Sequence, residues 1–144
     1  MQKVAILGAG SWGTAQALLL SKKTRQINLW GRVQDGIEVM RSERENKRFL
    51  PGVSLPDNVV PTIDLKAALE GAKLIVLAVP TQAVREVLQL LTPYLKKDTI
   101  IVNTAKGLEI ETAMRLSRVA EDVLGGPIRE HFAVLSGPSH AEEV

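Results

Sequence analysis

Near its N-terminus the chain reads Val4-Ala5-Ile6-Leu7-Gly8-Ala9-Gly10-Ser11-Trp12-Gly13. An apolar run of strand length leads directly into a glycine-rich turn, and a segment with helical periodicity follows the turn. In this setting Gly8 permits a tight turn, Gly10 lets the backbone approach a pyrophosphate, and Gly13 lets helix and strand pack closely. The helix N-terminus then faces the anion. The stretch predicts a dinucleotide-binding turn in preference to a glycine turn that binds nothing.

Apolar runs of the same kind recur along the chain, with little alternation of apolar and polar residues. Such runs are typical of strands that are buried on both faces, as in a parallel sheet. The predicted strands are Val4–Leu7, Ile27–Trp30, Leu74–Val79, Ile100–Val102 and Phe132–Leu135, with Val59–Ile63 as a weaker candidate.

Segments with helical spacing separate these runs, and Gly125-Gly126-Pro127 predicts the end of the last helix. The apolar residues that share a predicted helix face are Ala15, Leu18 and Leu19; Val84, Val87, Leu88 and Leu91; and Ala113, Leu116, Ala120, Val123 and Leu124. Strand alternating with helix predicts an α/β fold with right-handed crossovers. We expect a doubly wound, mostly parallel Rossmann-type sheet with helices on both faces, and a long irregular loop over residues 46–61.

Composition limits the function further. The length of 144 residues suffices for one domain, over residues 1–144. The 18 basic and 16 acidic side chains are spread along the chain, and no block of like charge indicates binding to nucleic acid or to a membrane. The absence of cysteine excludes disulfides and thiolate metal sites, and His131 and His140 lack partners at metal-ligand spacing. We therefore expect no bound metal. We also expect a cytoplasmic protein, because no signal-peptide pattern is present.

The end of the second predicted strand bears on the choice of dinucleotide. NAD is usually held there by a carboxylate that accepts hydrogen bonds from the ribose hydroxyls. This chain has Gly31-Arg32-Val33 at that position, and no carboxylate occurs before Asp35. Arg32 suits a 2′-phosphate, so we expect NADPH to be preferred, with NADH possible. The alternative is that Arg32 is an ordinary solvated residue at a strand end.

Three further predicted strands are each followed by a polar loop. The loops are Pro80-Thr81-Gln82, Thr104-Ala105-Lys106-Gly107 and Ser136-Gly137-Pro138-Ser139. Ligands of open α/β sheets bind at the carboxyl ends of the strands, so these loops are expected to converge on one crevice. Lys106 suits a phosphate or a polarised carbonyl, and Gly137 and Ser139 offer donors, which together suggest a small anionic substrate. Taken singly, a solvated lysine and an ordinary turn are equally good interpretations.

Five segments in this order resemble the bacterial NAD(P)-dependent glycerol-3-phosphate dehydrogenase family, over its N-terminal cofactor-binding domain. They are residues 8–15, 46–58, 79–82, 106–109 and 135–144. The resemblance implies reversible reduction of dihydroxyacetone phosphate to sn-glycerol 3-phosphate with NAD(P)H, which supplies glycerol phosphate for phospholipid synthesis. The segments Lys106-Gly107-Leu108-Glu109 and 136–144 are more discriminating than the glycine turn.

The resemblance also implies which residues contact ligands. To Gly8, Gly10 and Gly13 of the glycine turn the resemblance adds the cofactor residues Ser11, Trp12, Arg32, Phe49, Lys106 and Ala141, and it gives the substrate set Lys106, Gly137 and Ser139. Trp12 either covers the cofactor or packs over the sheet edge. Phe49 stands where many members have tyrosine, and Val33 where some carry a second arginine.

The family continues into an α-helical C-terminal domain with the proton-transferring lysine. We therefore expect the chain to be a cofactor-binding fragment without a catalytic residue of its own, inactive alone, and part of a possible homodimer in the full-length protein.

Two other functions remain open at this level. One is an NAD(P)H-sensing regulatory Rossmann module, and the other is a two-domain reductase of the 3-hydroxyacid or ketopantoate type. A sensor has no need of Lys106 and the turn at 136–139, and the segments 106–109 and 136–144 argue against the other reductases.

Overall fold

The structure is a computed structural model that describes residues 2–137 and 139–144, so that Pro138 of the predicted 136–139 turn lies outside the described residues. The helices are α1 (Ser11–Ser21), α2 (Ile37–Glu43), α3 (Leu65–Leu69), α4 (Val84–Leu91) and α5 (Leu116–Leu124). The strands are β1 (Lys3–Leu7), β2 (Gln26–Trp30), β3 (Glu45–Asn46), β4 (Leu50–Ser54), β5 (Val59–Thr62), β6 (Leu74–Leu77), β7 (Ile100–Asn103) and β8 (Phe132–Val134).

A six-stranded parallel sheet organises the molecule. Its strand order is β5-β2-β1-β6-β7-β8, and each neighbouring pair is parallel. From β1 the chain builds outward through β2 to β5, then returns to β6 on the other side of β1 and builds outward to β8. The strand order therefore reverses between β1 and β6, which is the switch point where ligands bind in open α/β sheets.

The central strand shows why both faces of the sheet must be covered. Ala5 and Leu7 pack in one core with residues of α3, α4 and α5, whereas Val4 and Ile6 pack in a second core with residues of α1 and α2. All four side chains are completely buried. The doubly wound α/β fold expected from the apolar runs is confirmed, because successive side chains of a strand point to opposite faces.

Two details of the predicted helices are wrong. Leu19 is 47% exposed, because α1 buries the run Gly13–Ala17 against the sheet, where small residues let the helix approach closely. Ala113 is exposed with φ +55° in the turn before α5, which begins only at Leu116. The spacing of apolar residues could not show which of them the tertiary contacts bury, nor at which residue α5 begins. No helix in the described part of the chain is long and apolar enough to cross a membrane.

The stretch 46–61 is not the irregular loop that was expected. β3 and β4 form an antiparallel hairpin, with Glu45 opposite Ser54 and Asn46 opposite Leu50, and β5 then joins the main sheet. Pro51 and Pro61 lie within strands, where a residue without an N–H is tolerated at a sheet edge. The last apolar residues of two predicted strands, Val79 and Leu135, instead belong to the loops that follow β6 and β8.

Candidate functional site

The glycine turn occupies the switch point between β1 and β6. Gly8 has φ +118°, and a Cβ there would lie 2.4 Å from the carbonyl oxygen of Ala78, directly after β6. A Cβ on Gly13 would lie 1.9 Å from the carbonyl oxygen of Gly8. Gly8 and Gly13 therefore act as predicted, in a tight turn and in close packing of helix on strand.

Gly10 differs from the other two glycines. A Cβ on Gly10 would meet nothing within 4 Å, and its φ is not in the left-handed region. Protein contacts within the described residues thus give no reason for glycine at this position. The open space beside its backbone is of the kind that a closely approaching ligand needs, and glycine is also favoured at the position that precedes a helix.

The N-terminus of α1 begins at this turn. Gly10 is the residue that precedes the helix, no side chain caps it, and the first turn carries no acidic residue. The amide donors and the positive end of the helix dipole are therefore presented to the crevice, which is the arrangement that binds phosphate groups.

Asn46 ties the β3–β4 hairpin to the glycine turn. Its side chain is 2% exposed, and Nδ2 donates to the carbonyl oxygen of Ala9 (3.0 Å) and to Thr14 Oγ1 (2.8 Å). Asn46 Oδ1 accepts a hydrogen bond from the N–H of Phe49 (3.2 Å). Asn46 thereby fixes the candidate cofactor residue Phe49 relative to the glycines. Its sequence segment stood out, but its buried position could not be read from the pattern.

The turn after β2 carries the two residues that bear on cofactor choice. The Arg32 side chain is 62% exposed, and its Nε lies 3.4 Å from Asp35 Oδ2. The same carboxylate accepts a 2.8 Å hydrogen bond from the backbone N–H of Arg32. Asp35 is thus engaged by its own turn, and the largely exposed Arg32 side chain makes only long contacts, of 3.4 Å, with both of its carboxylate oxygens.

The three residues of the candidate substrate set lie together. Lys106 Nζ donates to the carbonyl oxygen of Gly137 (2.8 Å) and to Ser139 Oγ (2.6 Å). No carboxylate lies within salt-bridge distance of Lys106 among residues 2–137 and 139–144, so its charge is not neutralised there. The convergence of the two loops expected from the parallel sheet is confirmed. The ligand-binding roles of these residues stay predictions.

The loop after β6 holds the lysine loop from the other side. Thr81 Oγ1 donates a short hydrogen bond to the carbonyl oxygen of Lys106. Gln82 Nε2 donates to the carbonyl oxygen of Leu108 (3.0 Å), and Gln82 Oε1 accepts from the N–H of Ile110 (2.9 Å). All three predicted loops therefore meet at one edge of the sheet.

An ion pair that sequence reasoning missed fixes the end of the lysine loop. Arg85 of α4 donates to both carboxylate oxygens of Glu109, at 2.7 and 2.9 Å, and to Asp122 of α5 at 2.6 Å. Glu109 is only 7% exposed. Hydrogen bonds from Arg85 and Thr112 lower the pKa of Glu109 to about 2 from its usual 4.5. Glu109 was visible in the discriminating 106–109 segment, but its partner lies 24 residues away in sequence.

The remaining candidates lie apart from the lysine cluster. Ala141 lines a groove of about 580 Å³ together with Ala15 and Leu18 of α1 and Leu50 of the hairpin. His140, which has no partner at metal-ligand spacing in the sequence, is exposed, and its Nδ1 lies 2.9 Å from Glu142 Oε2. Ser11 and Trp12 are half-buried in the first turn of α1.

A parallel doubly wound sheet with a glycine turn and an uncapped helix N-terminus at its switch point defines the class of Rossmann-type domains. Within that class, the chain belongs to the family described as NAD-dependent glycerol-3-phosphate dehydrogenase N-terminus, which it matches over residues 3–144. The resemblance seen in the sequence is confirmed at the level of the family.

Individual relatives agree with this assignment. The chain is 62% identical over 144 residues to glycerol-3-phosphate dehydrogenase [NAD(P)+] of Syntrophomonas wolfei, covering 100% of this chain and 42% of the relative. It is 54% identical to the corresponding Moorella thermoacetica protein, covering 99% and 42%. The crystal structure of glycerol-3-phosphate dehydrogenase from Coxiella burnetii superimposes with a TM-score of 0.88 at 39% identity, covering 98% and 42%. The chain thus spans well under half the length of these relatives.

Proposed function

We propose that the chain is the cofactor-binding domain, over residues 1–144, of an enzyme that interconverts dihydroxyacetone phosphate and sn-glycerol 3-phosphate with NAD(P)H. The observation that carries the proposal is Gly10, a glycine that no described protein contact requires, at the uncapped N-terminus of α1. A pyrophosphate seated there receives backbone donors and the positive end of the helix dipole. The names of the relatives supply the reaction.

The lysine cluster suits the phosphorylated substrate. Lys106 Nζ already touches Gly137 and Ser139, and its charge has no carboxylate partner in the described residues, so an anion gains a full ion pair on arrival. The cofactor supplies hydride to the substrate carbonyl carbon. The role of Lys106 and Ser139 is to hold and orient the substrate beside it. In the family that the chain resembles, a lysine of the C-terminal domain donates the proton to the resulting alkoxide.

The geometry after β2 favours NADPH over NADH. Asp35, the first carboxylate available for ribose hydroxyls, is engaged by the Arg32 backbone at 2.8 Å and by the Arg32 guanidinium through two longer contacts of 3.4 Å, whereas the Arg32 side chain is largely exposed and can reach a 2′-phosphate. A 2′-phosphate that approaches Arg32 gains charge-assisted hydrogen bonds, and NADH offers no such group. The cytoplasmic location and the homodimer of the whole protein stay predictions.

The test is a titration of the chain with NADPH and with NADH, followed by nucleotide fluorescence, and repeated with Arg32→Ala. We expect NADPH to bind more tightly, and Arg32→Ala to weaken NADPH about tenfold while changing NADH less than about twofold. Arg25→Ala is the matched control. Arg25 is exposed and directly precedes β2, so it lies at the amino end of this strand, away from the crevice at the carboxyl ends.

The outcomes separate the two parts of the proposal. A folded chain that binds neither nucleotide contradicts the cofactor-binding function. Equal affinities for NADPH and NADH that Arg32→Ala leaves unchanged contradict only the preference. An equal loss of NADPH affinity in Arg25→Ala would mean that Arg32 acts through the overall positive charge of the chain and not through a specific contact with the 2′-phosphate.

A further inference from the structure

A second guanidinium, that of Arg48, lies beside the turn that follows β2. Arg48 Nη1 donates a 2.7 Å hydrogen bond to the backbone carbonyl oxygen of Gln34, two residues after Arg32. The Arg48 guanidinium carbon lies 4.9 Å from the centre of the Phe49 ring. One turn therefore has an arginine at its start and another docked on its backbone.

The charge of Arg48 is not neutralised by a carboxylate among the described residues. Its neighbour Lys47 pairs with Glu43 at 2.8 Å, and Arg32 contacts Asp35 at 3.4 Å. The hydrogen bond to Gln34 uses one of the five donors of the guanidinium, and a carbonyl oxygen brings no negative charge. Arg48 therefore retains both charge and donors for an anion.

The Arg48 side chain is exposed and is oriented by its bond to Gln34 and by the Phe49 ring, and the backbone that carries it is held in place by Asn46. Asn46, two residues earlier, is bonded to Ala9 and Thr14 of the glycine turn and α1, and it accepts the N–H of Phe49. The hairpin turn that carries Arg48 is thereby tied to the region where the pyrophosphate is proposed to sit. A side chain held in this way loses less conformational entropy when it meets a ligand than a freely rotating one.

We propose that Arg48 is a specificity-determining residue that contacts the 2′-phosphate of NADPH together with Arg32. This inference rests on the proposed cofactor-binding function. A 2′-phosphate carries more than one negative charge, so Arg32 at the start of this turn and Arg48 docked on it from the hairpin match it better than one guanidinium. NADH lacks this phosphate, so Arg48 contributes to binding of NADPH alone.

The test compares the affinities of the chain for NADPH and NADH in four proteins: the wild type, Arg48→Ala, Arg48→Lys and Lys47→Ala. Arg48→Ala is expected to weaken NADPH about tenfold and to change NADH less than about twofold. Arg48→Lys keeps the charge and loses the planar set of donors, so its NADPH affinity is expected to fall between those of the wild type and Arg48→Ala. Lys47→Ala removes an adjacent, exposed charge that is already paired, and both affinities stay within about twofold.

The alternatives give different results. If Arg48→Ala leaves the NADPH to NADH ratio unchanged, or if Lys47→Ala lowers it equally, the inference is overturned while the cofactor-binding function stands. If Arg48→Ala weakens both nucleotides equally and Arg48→Lys restores neither, Arg48 only supports the Phe49 turn, and the inference is again overturned. A folded wild type that binds neither nucleotide overturns the proposed function as well. Should Arg48→Ala not fold, Arg48→Lys decides between these outcomes.

Discussion

The two halves of the crevice are built differently. Around residues 8–14, the glycine turn and the start of α1 are held by close backbone approach to Ala78 and between Gly8 and Gly13, and by the buried side chain of Asn46. The loop around Lys106 is exposed, and side chains 25 to 33 residues away hold it in place. The first half is therefore specified by steric exclusion and by buried hydrogen bonds, and the second by exposed hydrogen bonds and an ion pair. Substitutions and pH should affect the two halves in different ways.

The largest effect is expected from Gly13→Ala in the glycine half. The added methyl would lie 1.9 Å from the carbonyl oxygen of Gly8, and the backbone on both sides must move to accept it. We expect the free energy of unfolding to fall by about 3 kcal/mol or more, measured by urea denaturation. Gly10→Ala is the control, since its methyl meets nothing within 4 Å. Equal midpoints for the two variants would show that the turn is not held by steric exclusion.

A smaller but still large effect is expected from Asn46→Asp, which attacks the join between the hairpin and the glycine turn. The change replaces the Nδ2 donor with an oxygen that faces the carbonyl of Ala9 and Thr14 Oγ1 in a buried position. We expect a loss of about 2 kcal/mol in the same assay, because a buried polar group is left without its partners. Gln89→Glu makes the same chemical change at an exposed site of α4 and should cost less than about 0.5 kcal/mol. An equal effect of both variants would refute the structural role of Asn46.

The smallest effect is expected from Glu109→Gln in the lysine half. The variant loses the charge that pairs with Arg85, so Tm at neutral pH falls by a few degrees. Folding lowers the pKa of Glu109 from 4.5 to about 2, so its stabilising contribution is complete above pH 4.5 and disappears as pH falls towards about 2. The Tm curves of wild type and variant should therefore converge in acid.

The control for that prediction is Glu111→Gln, a neighbouring exposed carboxylate without a salt bridge among the described residues. Its Tm curve should run parallel to that of the wild type at every pH. A Tm difference for Glu109→Gln that stays constant down to pH 3 would mean that the ion pair does not stabilise the folded state.

How much the sequence could predict follows the same division. The sheet, the glycine turn and the convergence of the loops were predictable, because apolar runs and glycines report local steric needs and parallel strands end at one edge. The hairpin formed by β3 and β4 was missed, since Pro51 and Gly52 hide the alternation of a strand. The roles of Asn46 and Arg85 depend on partners 32 and 24 residues away, and no local pattern encodes such pairs. The placement of Leu19 on the packed face of α1 was wrong, because periodicity identifies a helix but not the neighbour against which the helix packs.

The two outer strands of the sheet differ in how well their unpaired backbone edge is protected. β5 carries Pro61, which has no N–H to offer, and α2 packs against this strand. β8 has the sequence Phe132-Ala133-Val134, without proline or charge, Val134 is 58% exposed, and in the described residues β8 pairs with β7 alone. An edge of this kind offers its backbone to any extended segment that reaches it, whereas proline and covering elements discourage such pairing. Self-association of the purified chain at high concentration is therefore expected to begin at β8. Val134→Lys is expected to suppress it, and because Val134 also lines the pocket beside Lys106, the same substitution adds a positive charge to the lysine half of the crevice.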